Sequence, residues 1–567
     1  MTGQKESIVI EDAIFRSILV ALLLTQASLL AYLSWSTSPN RTEAGHIGAT
    51  VHFWHTGKFD VFHVNPPLVR MVAGAPIALF CNPKYERISY SPRPEDRLEW
   101  RLGNAFIASN DLNNLRWYVF LMRVACIPLV LMGGYFGYRF ASELYGEWSG
   151  IVFLILWTFS PLILGWGATI CPDVAAASMG IVGLYTFWHW VKTPTWGKAT
   201  IAGTCLGVMA LTKMTWIIAF PIWCLLFVIW KFRRKLSYKQ FAALLLIAVY
   251  TINSGYLYDG SFKPLKDYQF MSGTLTGMEM TKGRPVKHGN RFADSWIGQI
   301  PVPLPAEFVQ GIDTQKSDFE RGVESYACGV WSDRGWWWYY GYALLLKEPL
   351  GIWGLLLLAL LVSCVFRNAN ASWQDELTVL MPLLTIFVFI SSQDGFSIHP
   401  RYIVPVLPLL YIFISKVVSP SAVICRLPSV VLLAWMVGSS LSFYPYSMSY
   451  FNELAGKPKN YPKYLLGSNI DWGQDIYALK AWVDKHLEAK PLYISYHSPA
   501  LLKKMDIKNE GEVPLEPTAG WMVVGVNELF DKEGTFGWLK HENVVKMIGY
   551  SIWIIKVERE KELPTND

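Results

Sequence analysis

Five side chains able to do acid–base or phosphate chemistry stand at the ends of apolar runs: Glu43, His46, Asp173, Lys213 and Arg401. Glu43-Ala44-Gly45-His46 sets a carboxylate and an imidazole three residues apart, which a short helix presents on one face. A carboxylate at a partly desolvated membrane edge is pushed toward the range of a general base, whereas the plainer reading of Glu43 is a solvated helix cap. Asp173 follows Pro172 at the head of an apolar run, either as a cap on the helix N-terminus or as a functional carboxylate. Lys213 closes one run and Arg401 opens another, and each alone would simply snorkel to the headgroups. Facing one cavity together, a point charge and a bidentate fork suit a phosphate at membrane depth.

The elements that must position these residues are membrane helices. The chain has 567 residues, of which 52% are hydrophobic, 15% aromatic and 17% charged, and its mean hydropathy of +0.26 is too high for a soluble enzyme of this size. The net charge of +6 resides largely in Lys and Arg of loops expected to be cytoplasmic, so a nucleic-acid partner is not implied. The first apolar run, Ala13 to Ser34, is long enough to cross about 30 Å of hydrocarbon and shows no small-residue cleavage site, so a retained first helix is expected. Further runs lie near 117–139, 148–168, 174–191, 198–212, 215–231, 241–257, 350–366, 377–392, 402–417 and 427–446, about eleven spans in all. With the N-terminus inside, Arg139, Lys192 with Lys198, the cluster from Lys231 to Lys239, Arg367, and Lys416 with Arg426 all fall in cytoplasmic loops.

Threaded this way, loops 35–116 and 258–349 and the tail 447–567 lie outside, and Glu43, His46, Asp173, Lys213 and Arg401 share that outer face. The expected architecture is a polytopic α-helical membrane protein, with residues 1–446 as the membrane domain and 447–567 as a small external α/β domain. The tail's runs Trp521 to Val526 and Tyr550 to Val557 read as its strands. Asn65-Pro66-Pro67-Leu68 opens an apolar stretch too short to span, which reads as a helix lying on the outer leaflet. Trp336 to Tyr340 reads as an interfacial belt rather than a stacking platform. Ser468-Asn469-Ile470-Asp471-Trp472-Gly473-Gln474-Asp475 reads as a turn opening a helix.

Several chemistries find no support. There is no HExxH, no CxxC, no Gly-rich phosphate loop and no Rossmann fingerprint. Among the eight cysteines, Cys81, Cys171 and Cys328 fall outside, leaving one disulfide or free thiols equally open. No metal site is read from the sequence, and a divalent cation beside Glu43 and His46 is left open.

These residues resemble the membrane-embedded GT-C glycosyltransferases, in the branch of protein O-mannosyltransferases and aminoarabinose transferases that use polyprenyl-phosphate sugars. Glu43 is similar to the Glu of the family's Asp-Glu pair, Asn65-Pro66-Pro67-Leu68 to its Pro-Pro-Leu element, and Asp173 to the Asp of its second external loop. Lys213 resembles the Lys after the fifth span, Arg401-Tyr402 the late Arg-Tyr, and Lys347-Glu348-Pro349-Leu350 the Lys-x-Pro-Leu entry to a later helix. One position departs: Thr42 stands where the pair has Asp, the residue often assigned as base, which makes Glu43 and Asp173 the two candidates. The Ser468 to Gln474 stretch and the tail look like those of a bacterial subgroup.

The resemblance implies inverting transfer from a polyprenyl-phosphate sugar to a hydroxyl of a glycan, lipid or protein at the outer face of a bacterial inner membrane. A carboxylate would take the proton, Lys213 and Arg401 would stabilise the phosphate leaving group, and His46, Asn65 and Tyr402 would line the substrate site. The rival reading is a transporter or flippase without covalent chemistry, which would place charges at mid-membrane in repeated halves. Here they collect at one face and no repeat is visible.

Overall fold

The apolar runs are helical in the computed structural model, which describes residues 2–86, 96–278, 288–365, 371–393, 395, 397–496 and 499–558. The chain opens with α1 (Thr2–Ser36) and then places three short helices, α2 (Arg41–Thr56), α3 (Leu68–Phe80) and α4 (Leu98–Ser109), before the long α5 (Leu112–Tyr145). Next come α6 (Glu147–Phe159) and α7 (Pro161–Gly167), bent by 56° where Pro161 follows the capping Ser160. The series continues with α8 (Pro172–Lys192), α9 (Trp196–Thr212), α10 (Ala219–Lys231) and α11 (Tyr238–Gly255). After α12 (Gly273–Thr276), α13 (Ala306–Arg321) and the hairpin β1 (Ser325–Ala327)/β2 (Val330–Ser332), α14 (Tyr339–Lys347) meets α15 (Leu350–Val365) at 112° across Glu348-Pro349. Then α16 (Trp373–Ser391), α17 (Leu407–Ser415) and α18 (Arg426–Phe443) complete the bundle.

By length and apolarity, seven of the described helical stretches could cross a bilayer, or up to nine if each bent pair is one span. The sequence pointed to about eleven. The difference lies in α9 and α11. The first has 17 residues, and the second is interrupted by Lys239 and Gln240 at one end and Asn253 at the other. These two helices lie against each other through small residues: a Cβ on Gly203 would stand 2.5 Å from the Leu244 carbonyl, and one on Gly207 2.7 Å from that of Ala248. Close backbone approach of this kind is how helices associate where burial from water contributes little.

The basic loops collect at one end of the bundle. Lys192 pairs with Asp375 at 2.7 Å, Lys416 with Glu376 at 2.7 Å, and Arg233 donates to Gln374 at 3.1 Å. Three consecutive acceptors at the head of α16 thus hold cations from three loops. Arg367 lies outside the described residues.

The tail carries a four-stranded sheet in the order β3 (Leu492–Ser495), β4 (Gly520–Gly525), β6 (Ile552–Val557), β5 (Val544–Ile548), with β3–β4 parallel and the rest antiparallel. Its two strands expected from sequence are the central pair, with Trp521 opposite Lys556. The Ser468 to Asp475 stretch does lead into a helix, α19 (Ile476–Val483), but it is also threaded against the bundle. Lys347, fully buried, donates to the carbonyls of Met448 at 3.0 Å and Asn469 at 2.5 Å. The hydrophobic core runs without a break from Leu30 of α1 to Ile555 of the sheet. Tyr339 and Tyr340, expected in an interfacial belt, are instead buried, whereas Trp337 is 75% exposed. All eight cysteines are free.

Candidate functional site

Asp173, Lys213 and Arg401 come together at the head of α8. Asp173 lies in the first turn, after Cys171 at the cap position and Pro172 at the first helical position, and no side-chain cap is formed. Its Oδ1 instead accepts from Lys213 Nζ at 2.6 Å, and Arg401 Nη1 stands 3.8 Å from Oδ2. Lys213 is delivered by a break in the chain: α9 stops at Thr212, Lys213 is extended, and a 3-10 turn begins at Met214. Arg401 is delivered likewise by the 3-10 turn Pro400–Val406. Its guanidinium lies 5.2 Å from the Trp166 ring centre and 5.4 Å from that of Tyr402, and Nη1 is 3.7 Å from Cys171 Sγ. Lys213 Nζ sits 4.9 Å from the Tyr402 ring centre.

All three charges are buried, Asp173 at 1%, Lys213 at 3% and Arg401 at 8% exposure. Two cations on one carboxylate leave an excess of positive charge in a low-dielectric setting, where an unpaired charge is costly. Arg401 Nε has no hydrogen-bond partner among the described residues. An anion bound at this point would complete the set.

Glu43 stands on the neighbouring helix α2, with its carboxylate saturated. Oε1 accepts from Arg123 Nε at 2.8 Å and from the Ile170 backbone N–H at 3.0 Å. Oε2 accepts from Arg123 Nη2 at 2.6 Å and from the Asn40 N–H at 2.9 Å, the second half of a capping box. A carboxylate offers about four acceptor positions, and here all are used. Glu43 therefore does not present the free general base that the sequence suggested. It ties α2 to α5 and to the segment just before α8.

Thr42, where the related pair has Asp, accepts the indole N–H of Trp472 at 2.7 Å. The tail thereby covers this position. His399 Nδ1 is 2.9 Å from Ser468 Oγ, and its ring packs edge-on against Trp472 at 4.8 Å and Tyr402 at 5.4 Å, so the tail also reaches the Arg401 turn.

His46, one turn along α2 from Thr42, is 2% exposed and packs on Phe62 at 4.9 Å. Burial first, and then the charges of Arg70 and Arg401, hold its imidazole well below the ordinary pKa, so it is neutral at pH 7. Asn65 enters through its backbone: its carbonyl accepts from Arg70 Nη1 at 2.8 Å. Beside them Arg97 bridges Glu99 at 2.6 Å and Asp318 at 3.1 Å. The close seat of α2 on α4 depends on Gly103, where a Cβ would stand 1.9 Å from the Ala44 carbonyl.

No group of three or more His, Cys, Asp or Glu able to hold a metal occurs among the described residues, and Glu43's lone pairs already face donors.

Sequence reasoning did not single out Arg123, Arg70, His399 or the Arg97 bridge, and it read Trp472 only as part of a turn. Arg123 had a signal, a cation inside the apolar run 117–139, since such a charge demands a partner. The Thr42–Trp472 contact had none, because the two residues are 430 positions apart.

Residues 109–256 match the family model of dolichyl-phosphate-mannose-protein mannosyltransferases, a stretch that takes in α5 to α11 with Arg123, Asp173 and Lys213. The chain thus resembles the class of membrane glycosyltransferase to which its motifs pointed. Among solved structures, ArnT from Cupriavidus metallidurans bound to undecaprenyl phosphate is similar at 12% identity and a TM-score of 0.46, covering 94% of this chain and 97% of that one. ArnT from the same organism in the apo state is similar at 14% identity and a TM-score of 0.44, with the same coverage of 94% and 97%. An oligosaccharyltransferase from Archaeoglobus fulgidus, in complex with Zn and sulfate, is similar at 11% identity and a TM-score of 0.41, over 90% of this chain and 68% of that one. No curated protein matches the chain.

Proposed function

We propose that this protein is an inverting glycosyltransferase that moves a sugar from a polyprenyl-phosphate donor to an acceptor hydroxyl at the outer face of the membrane. The observation that carries the reading is the buried pairing of Lys213 and Arg401 on a single carboxylate, Asp173. The family match across residues 109–256 supports the class of reaction.

In this reading the donor's chain lies in the bilayer and its phosphate meets Lys213 and Arg401. The acceptor oxygen bonds to the anomeric carbon as the bond from that carbon to the phosphate oxygen breaks, and the electron pair leaves with the phosphate. The added negative charge develops between two cations already in position, where a low dielectric strengthens their effect and little reorganisation is needed. Asp173 orients both cations, and Tyr402 supports them from its ring face. Glu43 contributes by fixing α2 against the segment that leads into α8 and Asp173. The acceptor is a glycan, lipid or protein hydroxyl, and the N-terminus and basic loops face the cytoplasm of a bacterial inner membrane, with the tail outside.

The test is donor consumption by purified protein in lipid nanodiscs, across a panel of polyprenyl-phosphate hexoses and hydroxyl acceptors, read as release of free polyprenyl phosphate. Arg401→Ala and Lys213→Ala should each lower turnover by about 100-fold or more, the scale of losing one preorganised electrostatic group. Folded wild-type protein that consumes no member of the panel would overturn the reading.

A further inference from the structure

We propose that His46 is the general base that takes the acceptor proton, an inference that rests on the transfer reaction proposed above. Of the other candidate acceptors at this face, Thr42 and Glu43 are filled, and Asp173 is held in an ion pair through Oδ1 while its Oδ2 stands 3.8 Å from Arg401 Nη1. Thr42 receives the Trp472 indole, and Glu43 receives four donors. His46 stands three and four residues from Glu43 and Thr42 on the same helix, so it shares their face. Its Nε2 is buried and has no hydrogen-bond partner among the described residues. A buried ring nitrogen left this way is costly unless a donor meets it, and an acceptor hydroxyl is such a donor.

The surroundings favour a base that starts neutral. The helices packed on α2 carry Arg70 on α3 and Glu99 and Arg101 on α4, with Arg97 at the cap of α4; α2 itself carries Arg41, Glu43, His52 and His55; and His63, beside the Phe62 that packs on His46, pairs with Glu307 at 2.5 Å. Glu99 is engaged by Arg97, Glu43 by Arg123, and Asp173 by Lys213. Arg70 and Arg401 are the cations that act on the imidazole directly. In the step itself, the hydroxyl proton passes to Nε2 as the oxygen bonds to the anomeric carbon, and the carbon–phosphate-oxygen pair departs with the phosphate. Release of the proton to solvent then returns His46 to its neutral state. Of the other imidazoles, His399 already has Nδ1 engaged by Ser468 and its ring packed on Trp472 and Tyr402, and His63 pairs through Nδ1 with Glu307 at 2.5 Å.

The experiment compares wild type, His46→Ala, His46→Gln and His399→Gln in nanodiscs. Its readouts are turnover of the polyprenyl-phosphate hexose that wild type consumes, binding of free polyprenyl phosphate, and the pH profile of kcat/KM. Both His46 variants should lose about 100- to 10,000-fold in kcat while binding polyprenyl phosphate as wild type does. The acid-side fall of wild-type kcat/KM, which sits below the ordinary imidazole range, should be absent in their residual activity, and added imidazole should restore part of the turnover of His46→Ala. If His46→Ala does not fold, His46→Gln decides the matter through the same profile. A His46→Gln enzyme within about threefold of wild type, or one that keeps the acid limb while His399→Gln loses it, overturns the role of His46 and leaves the transferase reading standing. Wild type that consumes no donor overturns both.

Discussion

Replacing Arg123 with Met should destabilise the protein far more than replacing a surface arginine, because two buried structures depend on it. Arg123 is 1% exposed and holds Glu43 with two bonds of 2.8 and 2.6 Å. It also donates to the carbonyls of Ser34, Thr37 and Ser38 at 3.0, 2.8 and 2.9 Å, in the last turn of α1 and the two residues after it. Removing it leaves an unpaired buried carboxylate, a change that costs about 3–5 kcal/mol. Glu43→Gln alone keeps part of the acceptor set and should cost less. In the double variant no buried charge remains, so the two effects should fall short of their sum by about 2–3 kcal/mol, at the upper end for groups in direct contact. Reversible unfolding in mixed micelles measures all four forms. A loss below about 1 kcal/mol in Arg123→Met, or strict additivity in the double variant, would refute the claim that Glu43 is a saturated tie.

Gly103→Ala should open the α2–α4 seat, since the new Cβ would meet the backbone carbonyl of Ala44 at 1.9 Å. A destabilisation of about 1–3 kcal/mol is expected, seen as a lower melting midpoint, and an unchanged melt would contradict the packing. Asp475 is buried in the tail and its carboxyl is pushed up to about 7, by burial and then by the neighbouring Asp471 charge, against hydrogen bonds from Ser551 and Gln474. Because its folded pKa lies above the unfolded value, its contribution to stability is complete below about pH 4 and is lost as pH rises through 7. A melt followed from pH 5 to 8 should therefore fall more steeply in wild type than in Asp475→Asn, and parallel curves would refute this. Lys347→Met should loosen the stretch around Met448 and Asn469, which a limited-proteolysis time course would show as faster cleavage between α18 and α19. Cleavage at the wild-type rate would count against the clamp.

Much of the scaffold was legible because apolar length and loop charge are local properties. The runs became helices, and the basic loops met at the head of α16, where Lys192 and Lys416 find Asp375 and Glu376. The short α2 did put Glu43 and His46 on one face, and Pro66-Pro67 did open a short helix. Two of the expected spans, α9 and α11, fall short by length or apolarity, and the small residues Gly203 and Gly207 serve their close mutual packing. Residue types at the ends of the runs singled out Asp173, Lys213 and Arg401, and the structure brings these three side chains together. What could not be read was which lone pairs remain free, because that depends on distant partners. Glu43 is filled by Arg123 and the Ile170 N–H, and Thr42 is capped by Trp472 from the far end of the chain. Asp173, which could have been a simple helix cap, is instead the carboxylate on which two cations meet.

A structure of the protein with polyprenyl phosphate bound tests the central claim most directly. The account predicts phosphate oxygens within hydrogen-bond distance of both Lys213 Nζ and the Arg401 guanidinium. A phosphate seated away from both cations, with Asp173 still bridging them, would contradict it.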